Sequence, residues 1–205
     1  MNKRNALRLM AAGAGWMGVG ATLGLGLSAC SETRQSFNAV DITGADYAKD
    51  FSLKDADGKV RTMADFKGKL VVLFFGYAQC PDVCPTTMTE MAQVKQQLGK
   101  DADKLQVLFV TVDPARDTAE VLKAYMGAFD SSFVALIPTA DELVAVAKDY
   151  KVYYKKVDGK TPTSYSMDHS AASYVYDTQG RLRLYARYGA GVAPMVSDLK
   201  TLLAS

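Results

Sequence analysis

The feature that most constrains the fold is a continuous apolar run that leads directly into a pair of cysteines. Residues 70–75 read Leu-Val-Val-Leu-Phe-Phe, and Gly76 ends the run. A run of this length without polar alternation is typical of a strand buried on both faces of a sheet. Cys80 and Cys84 follow, and apolar residues then recur at helical spacing over residues 85–98. The cysteines are therefore predicted to lie between a buried strand and a helix.

The rest of the chain alternates strand-like and helical segments. Apolar runs predict further strands at residues 105–112, 133–137, 171–176 and 182–188, with a short hairpin over residues 51–63. Helical spacing predicts helices from Thr118, over 140–150 and over 192–203, and Thr118 is a suitable N-cap. This order predicts a single α/β domain in which helices cover a mixed central sheet.

Two segments show no sustained periodicity. Residues 31–49 are polar, and we predict that residues 30–49 form a tether, which leaves residues 50–205 as the folded domain. Residues 151–167 are rich in Lys and Tyr and also contain a glycine and a proline, and we predict that they form an exposed excursion.

The first thirty residues have the order of a secretory signal. Three basic residues precede an uncharged stretch over residues 9–29 that is rich in Ala, Gly and Leu. The stretch ends Leu-Ser-Ala-Cys, which resembles the lipoprotein box of bacteria. We therefore predict a signal peptide over residues 1–29, lipidation of Cys30, and anchoring of the protein to the lipid bilayer on the periplasmic or other extracytoplasmic face of a bacterial membrane. The alternative is an uncleaved signal anchor, because 21 uncharged residues are long enough to span a bilayer.

The charge balance argues against a nucleic-acid partner. Three of the 24 basic residues, Lys3, Arg4 and Arg8, lie before Cys30, so the rest of the chain carries 21 basic residues against 22 acidic ones. A protein that neutralises phosphates normally presents an excess of Lys and Arg.

The spacing of the two cysteines suits a metal or a disulfide. A strand that runs into a cysteine pair at the start of a helix is the thioredoxin-type arrangement, in which the helix N-terminus stabilises a thiolate. Three residues separate Cys80 from Cys84, and in a coiled segment this spacing puts the sulfurs one helical turn apart. At that separation, both sulfurs can reach one metal ion, and they can equally close a disulfide.

A single histidine is available to complete a metal site. Soft thiolates select Cu(I) or zinc, and one added imidazole gives the three-ligand set typical of copper, whereas structural zinc usually requires a fourth ligand. His169 is the only histidine of the chain, and no other cysteine or histidine remains to supply that fourth ligand. Taken alone, a solitary histidine is more often a surface or core residue than a ligand.

Three stretches resemble the Sco/SenC family of copper proteins for cytochrome c oxidase assembly. Residues 76–85 read Gly-Tyr-Ala-Gln-Cys-Pro-Asp-Val-Cys-Pro and look like the signature of that family. Residues 112–118 (Val-Asp-Pro-Ala-Arg-Asp-Thr) and 165–170 (Tyr-Ser-Met-Asp-His-Ser) agree in order and distance. The resemblance implies a thioredoxin-like fold and a metal site formed by Cys80, Cys84 and His169.

The resemblance also implies a function. The protein is expected to be a metallochaperone that carries one copper ion, Cu(I) or Cu(II), to the copper A centre. Its expected partners are cytochrome c oxidase subunit II and another periplasmic copper carrier. The alternative is a thiol–disulfide oxidoreductase in which Cys80 and Cys84 act as catalytic thiols, form a redox disulfide and reduce the copper-site cysteines of subunit II. As a thiol–disulfide oxidoreductase the protein would be an enzyme, whereas a metallochaperone is not a turnover enzyme. A third alternative is a peroxidase of the same superfamily, which would not need the second cysteine.

Several neighbouring residues have two interpretations. Asp168 either orients His169 as a hydrogen-bond acceptor or caps the turn, and Asp82 either bonds local backbone or raises thiol pKa through its charge. Methionines 88 and 91 are interpreted as core residues, and Met167 remains a weak ligand candidate. A basic and aromatic patch over residues 150–156 is either a solvated loop face or a contact for an acidic partner.

Overall fold

A computed structural model of the chain describes residues 35–161 and 164–205. The predicted signal peptide and the predicted lipidation site, Cys30, lie outside the described residues. Within the described part, no helix combines the length and the apolar character that crossing a bilayer requires.

Ten strands and four helices build the described domain. The strands are β1 (Val40–Asp41), β2 (Leu53–Asp55), β3 (Val60–Arg61), β4 (Leu70–Gly76), β5 (Leu105–Thr111), β6 (Val134–Ile137), β7 (Tyr154–Val157), β8 (Ser166–His169), β9 (Ser173–Tyr176) and β10 (Leu182–Ala186). The helices are α1 (Val83–Leu98), α2 (Ala119–Gly127), α3 (Ala140–Asp149) and α4 (Val192–Leu203).

Eight strands form the central sheet in the order β1-β10-β9-β4-β5-β6-β2-β3. β4 lies inside this sheet, parallel to β5 and antiparallel to β9, and every residue of β4 and β5 is buried. The apolar run at residues 70–75 is thus the buried strand that its composition predicts. The mixed sheet with its helices confirms the predicted α/β class.

Local capping signals fix where two helices begin. The Thr118 side chain accepts a hydrogen bond from the backbone N–H of Val121 at the start of α2, as predicted for an N-cap. At the start of α3, Thr139 and Glu142 form a reciprocal capping box.

The prediction that the folded domain starts at residue 50 is wrong for the described part of residues 30–49. β1 pairs with β10, and Ala48 is fully buried. The carboxylate of Asp198 in α4 accepts the backbone N–H groups of Asn38 and Ala39 at 2.8 Å each. The segment is held by hydrogen bonds to its backbone groups. Such bonds do not depend on the pattern of apolar side chains, so no hydrophobic periodicity in the sequence indicates them.

The predicted excursion over residues 151–167 contains regular structure. β7 and β8 pair antiparallel as a separate two-stranded sheet, with Tyr154 opposite His169 and Lys155 opposite Asp168. Both strands are short and largely exposed, so neither needs the apolar alternation that reveals a half-buried strand. His169 is the last residue of β8.

Candidate metal centre

Cys80 and Cys84 are delivered by the central strand and the first helix. After β4, the backbone N–H of Cys80 donates to the carbonyl of Tyr77 in a turn, and α1 begins at Val83. Cys84 therefore lies in the first turn of α1, where Pro85 also fits because its missing N–H would have no partner there. Cys84 is fully buried, and Cys80 keeps 9% of its surface exposed.

His169 reaches the two cysteines from the separate β7–β8 sheet. Its Nε2 atom lies 3.3 Å from the Sγ atom of Cys84. The two sulfurs and the imidazole nitrogen lie within 4.8 Å of one another. The fold thus brings together the three residues that the sequence predicts as ligands, from positions 85 residues apart.

The imidazole is oriented by its own neighbour along the chain. The Nδ1 atom of His169 lies 3.0 Å from the carbonyl oxygen of Ser170. Because a carbonyl only accepts, Nδ1–H donates to it, and Nε2 is left as the ring nitrogen that faces the sulfurs. The rings of Phe74 and Tyr77 pack edge-on against the imidazole, with centroids at 6.0 and 5.8 Å.

Asp168 does not have the orienting role considered for it. Its side chain is exposed, and across the hairpin it stands opposite Lys155. The Ser170 carbonyl takes that role, and no sequence pattern could indicate it, because every residue has a carbonyl. Asp82 occupies the N-cap position of α1 without a side-chain capping bond.

The two thiols have opposite acidities. The hydrogen bond from the Cys84 thiol stabilises the Cys80 thiolate and lowers the pKa of Cys80 to about 4, although burial opposes the shift. Contacts with His169 and with the backbone N–H groups of Asp82 and Cys84 lower it further. The same bond to Cys80, together with burial, raises the pKa of Cys84. The pair therefore holds one negative charge at Cys80 and one proton at Cys84.

Two residues next to the cysteines shape the site, and sequence reasoning did not single them out. Gly76 leaves room for the Cys84 sulfur, since a Cβ atom at this position would lie 2.9 Å from Sγ. Burial raises the pKa of the Tyr77 hydroxyl, and the hydroxyl oxygen accepts a hydrogen bond from the backbone N–H of Met167. Tyr77 thus contacts both the imidazole ring and the strand that carries it.

Asp117 holds the loop that connects β4 to Cys80, here called the cysteine loop. Its buried carboxylate accepts the Thr111 hydroxyl at 2.6 Å and the backbone N–H of Ala78 at 3.1 Å. Burial raises the pKa of Asp117, and these two hydrogen bonds offset part of the rise. The loop between β4 and Cys80 is therefore fixed to the end of β5.

The methionines and lysines near the site have structural environments. Met88 and Met91 are buried in the main core, as interpreted from their spacing, and Met167 also belongs to that core. Lys151 lies over the ring of Tyr47 at 4.0 Å, and Lys156 lies over the ring of Tyr165 at 4.1 Å. These local contacts engage much of the predicted basic patch.

The donor set fits a thiophilic metal ion. Two sulfurs and one imidazole nitrogen suit copper, and a three-ligand set leaves space for an incoming donor. Among the described residues, Cys80 and Cys84 are not joined by a disulfide. Both sulfurs are therefore available to a metal ion. The redox disulfide stays a prediction, as does the lipidation of Cys30.

Comparisons with known proteins agree with this geometry. The family model of SCO1/SenC matches residues 40–204. The SCO2-like protein of Rickettsia felis is 35% identical over 133 residues, which cover 64% of this chain and 65% of the relative. Among the first curated relatives, the chain spans between 44% and 65% of their length.

Solved structures show the same fold. The structure of Bradyrhizobium japonicum ScoI with copper bound is 40% identical, with a TM-score of 0.67 over 74% of this chain and 96% of that chain. The solution structure of apo Sco1 from Thermus thermophilus is 33% identical, with a TM-score of 0.72 over 83% of this chain and 99% of that chain. The fold is therefore thioredoxin-like, as predicted.

Proposed function

The chain belongs to the SCO1/SenC family, and on that premise we propose that it binds one copper ion through Cys80, Cys84 and His169 and delivers it during cytochrome c oxidase assembly. The observation that carries the proposal is the convergence of two sulfurs and one imidazole nitrogen within 4.8 Å of one another. The copper-bound Bradyrhizobium relative supports the choice of metal.

The positions of the ligands suit a carrier that releases its ion. Cys84 is fully buried in α1, whereas Cys80 is the more exposed of the two cysteines, with 9% of its residue surface accessible. A donor from a partner protein approaches at the Cys80 side, adds to the three-coordinate ion and displaces Cys80 by ligand exchange. The oxidation state of the ion need not change in this exchange.

The proposed location is the periplasmic or extracytoplasmic face of a bacterial membrane. A signal peptide over residues 1–29 is removed, and the lipid on Cys30 anchors the protein at the periplasmic or extracytoplasmic surface. Cytochrome c oxidase subunit II receives the copper for its copper A centre, and another periplasmic copper carrier supplies it.

A second function, thiol–disulfide exchange, is favoured by the free and adjacent thiols of Cys80 and Cys84. In this reaction the Cys80 thiolate attacks a partner disulfide and releases one partner thiolate. Cys84, after losing its proton, then attacks Cys80 and releases the second, so that two electrons pass to the partner and a Cys80–Cys84 disulfide forms.

The acidity of Cys80 ranks metal binding above reduction. A pKa near 4 makes the Cys80 thiolate a weak nucleophile and a good leaving group, which stabilises the dithiol against its disulfide. A protein with such a pair is a poor reductant, but its ready-made thiolate suits a metal ion.

Replacement of the histidine separates the two functions. We expect His169→Ala to abolish tight copper binding. It should leave the rate of exchange with a small disulfide largely unchanged, because exchange needs only the two thiols and the hydrogen bond from Cys84, the largest cause of the low Cys80 pKa, remains. Asp168→Ala, which changes an exposed neighbour in the same strand, is the matched control and should retain copper. A His169→Ala protein with undiminished copper affinity would rule out the three-ligand site.

A further inference from the structure

The three proposed ligands come from two separate sheets. Cys80 and Cys84 follow β4 of the central sheet, whereas His169 ends β8 of the two-stranded sheet. No ladder of the described residues joins these two sheets. The distance between the imidazole and the sulfurs therefore depends on tertiary contacts that hold β8 in place.

Arg116 makes contacts to the segments on both sides of the site. Its Nη1 atom donates to the carbonyl oxygen of Tyr165 at 2.8 Å and to the Oε1 atom of Gln79 at 3.0 Å. Gln79 directly precedes Cys80, and Tyr165 directly precedes β8. One guanidinium thus connects the cysteine loop to the strand that carries the histidine.

Asp113 and the ring of Tyr165 also contact the guanidinium, and they bond to each other. The Nε atom of Arg116 donates to Asp113 at 2.5 Å, and the hydroxyl of Tyr165 donates to the other oxygen of the same carboxylate at 2.8 Å. The guanidinium carbon also lies 3.5 Å from the centre of the Tyr165 ring. The Arg116 side chain is only 15% exposed and that of Asp113 only 4%, so water screens this ion pair weakly.

The chemistry of these contacts requires arginine. A guanidinium is a flat fork with several donors that can bond a carboxylate, a carbonyl and an amide while it stacks on an aromatic ring. An ammonium group is a point charge on a flexible stem and cannot hold all three partners in fixed directions.

We infer that Arg116 is a positioning residue that holds His169 within reach of Cys80 and Cys84. The inference rests on the proposed copper site and names a residue that controls it without touching the ion. With Arg116 removed, the segment before β8 gains freedom, and the three-ligand arrangement is populated for a smaller fraction of the time. Apparent affinity falls in proportion to that fraction.

The first experiment compares two half-buried arginines in the full chain. Arg116→Met keeps the length of the side chain and removes the fork. Arg183→Met is the matched control, because Arg183 is similarly buried, at 12% side-chain exposure, and pairs with buried Asp177 in another part of the fold. Copper affinity is measured by competition with a chelator, and nitrogen coordination is read from the spectrum of the Cu(II) protein.

We expect Arg116→Met to weaken copper binding about 10- to 100-fold, the range for residues that orient metal ligands, and to reduce the nitrogen signature. Arg183→Met should keep both the affinity and the signature of the unmodified chain. Equal losses in the two variants would show that loss of either half-buried arginine weakens copper binding in the same way, and the inference would be overturned.

A double-mutant cycle identifies the residue through which Arg116 acts. In a His169→Ala background, Arg116→Met should cost no further affinity, because the side chain that it positions is already absent. A further loss as large as that in the unmodified chain would assign the effect to the cysteines and overturn the inference. If His169→Ala itself binds copper normally, the proposed function fails, which is a different and recognisable outcome.

A milder variant keeps the inference testable if Arg116→Met does not fold. Tyr165→Phe removes only the hydroxyl that donates to Asp113 and keeps the ring beneath the guanidinium. It should weaken copper binding in the same direction but less, and the loss should again disappear in the His169→Ala background. An affinity equal to that of the unmodified chain in this variant, together with an unfolded Arg116→Met, would overturn the inference.

Discussion

Gly76→Ala tests how tightly the end of β4 fits the metal centre. A Cβ atom on Gly76 would lie 2.8 Å from ring atoms of both Phe74 and Phe109 and 2.9 Å from the Sγ atom of Cys84. Both rings are fully buried in the core, so neither can swing into solvent. When the methyl group is added, either all three of these groups must move or the backbone at Gly76 must shift.

The size of that movement follows from the contact distances. Ordinary contacts for a Cβ atom start at 3.4 Å, so the Cys84 sulfur must retreat by about 0.5 Å unless the backbone of β4 yields instead. Metal sites tolerate ligand displacements of only about 0.2 Å. We therefore expect Gly76→Ala to lower the free energy of unfolding by about 1–3 kcal/mol, as overpacking does. We also expect it to weaken copper binding by about tenfold or more.

Chemical denaturation and chelator competition measure these two effects on the same protein. Gly127→Ala is the control. Gly127 is the last residue of α2, and apart from its chain neighbours and the backbone of its own helix, no described atom lies within 4 Å of a Cβ atom at that position. This change should leave copper binding unchanged and alter stability by less than about 1 kcal/mol, in the favourable direction. Undiminished copper affinity in Gly76→Ala would refute the reasoning, because it would mean that the sulfur does not depend on the space at Gly76.

Three further predictions concern charge and packing. Copper binding at pH 7.5 should release about one proton, from Cys84, because the low pKa of Cys80 means that Cys80 is already ionised. Calorimetry in two buffers of different ionisation enthalpy counts the released protons. Burial raises the pKa of Asp177, but hydrogen bonds with two arginines and the backbone leave it below 3.8. Asp177→Asn should therefore cost about 1–3 kcal/mol of unfolding free energy at pH 7, and the cost should shrink as pH falls through the folded-state pKa. Asp198→Ala should cost about 2 kcal/mol and accelerate amide exchange at Ala39.

Each of these predictions has a clear contradicting result. Release of about two protons at pH 7.5 would show that both thiols have ordinary acidity. A cost of Asp177→Asn that stays constant down to pH 2 would mean that the carboxylate contributes nothing as an ion. Unchanged stability in Asp198→Ala would mean that residues 38 and 39 are not held by α4.

Sequence reasoning succeeds where one segment carries its own signal. The run at residues 70–75 can only be buried, and the helix that follows is marked by its apolar spacing, so the placement of Cys80 and Cys84 follows directly. The Thr118 cap is equally local. His169 is different, because nothing in its own segment indicates proximity to the cysteines, and only the family resemblance connects the two.

The features that the sequence did not predict depend on contacts between residues far apart in the chain or on strands that are exposed. Asp198 holds Asn38 across a separation of 160 residues, and this contact gives the polar segment at residues 35–49 a place on the domain. The β7–β8 sheet is too exposed to show periodicity. Arg116 stands 37 residues from Gln79 and 49 from Tyr165, so its role depends on a tertiary arrangement rather than on a pattern.

The most direct test of the three-ligand copper site is X-ray absorption on the anaerobic Cu(I) protein, at one copper per chain, with His169→Ala measured beside it. We expect two sulfur scatterers and one nitrogen scatterer in the unmodified protein, and loss of the nitrogen alone in the variant. A spectrum without nitrogen, or one that His169→Ala leaves unchanged, would contradict the claim that Cys80, Cys84 and His169 hold the ion together.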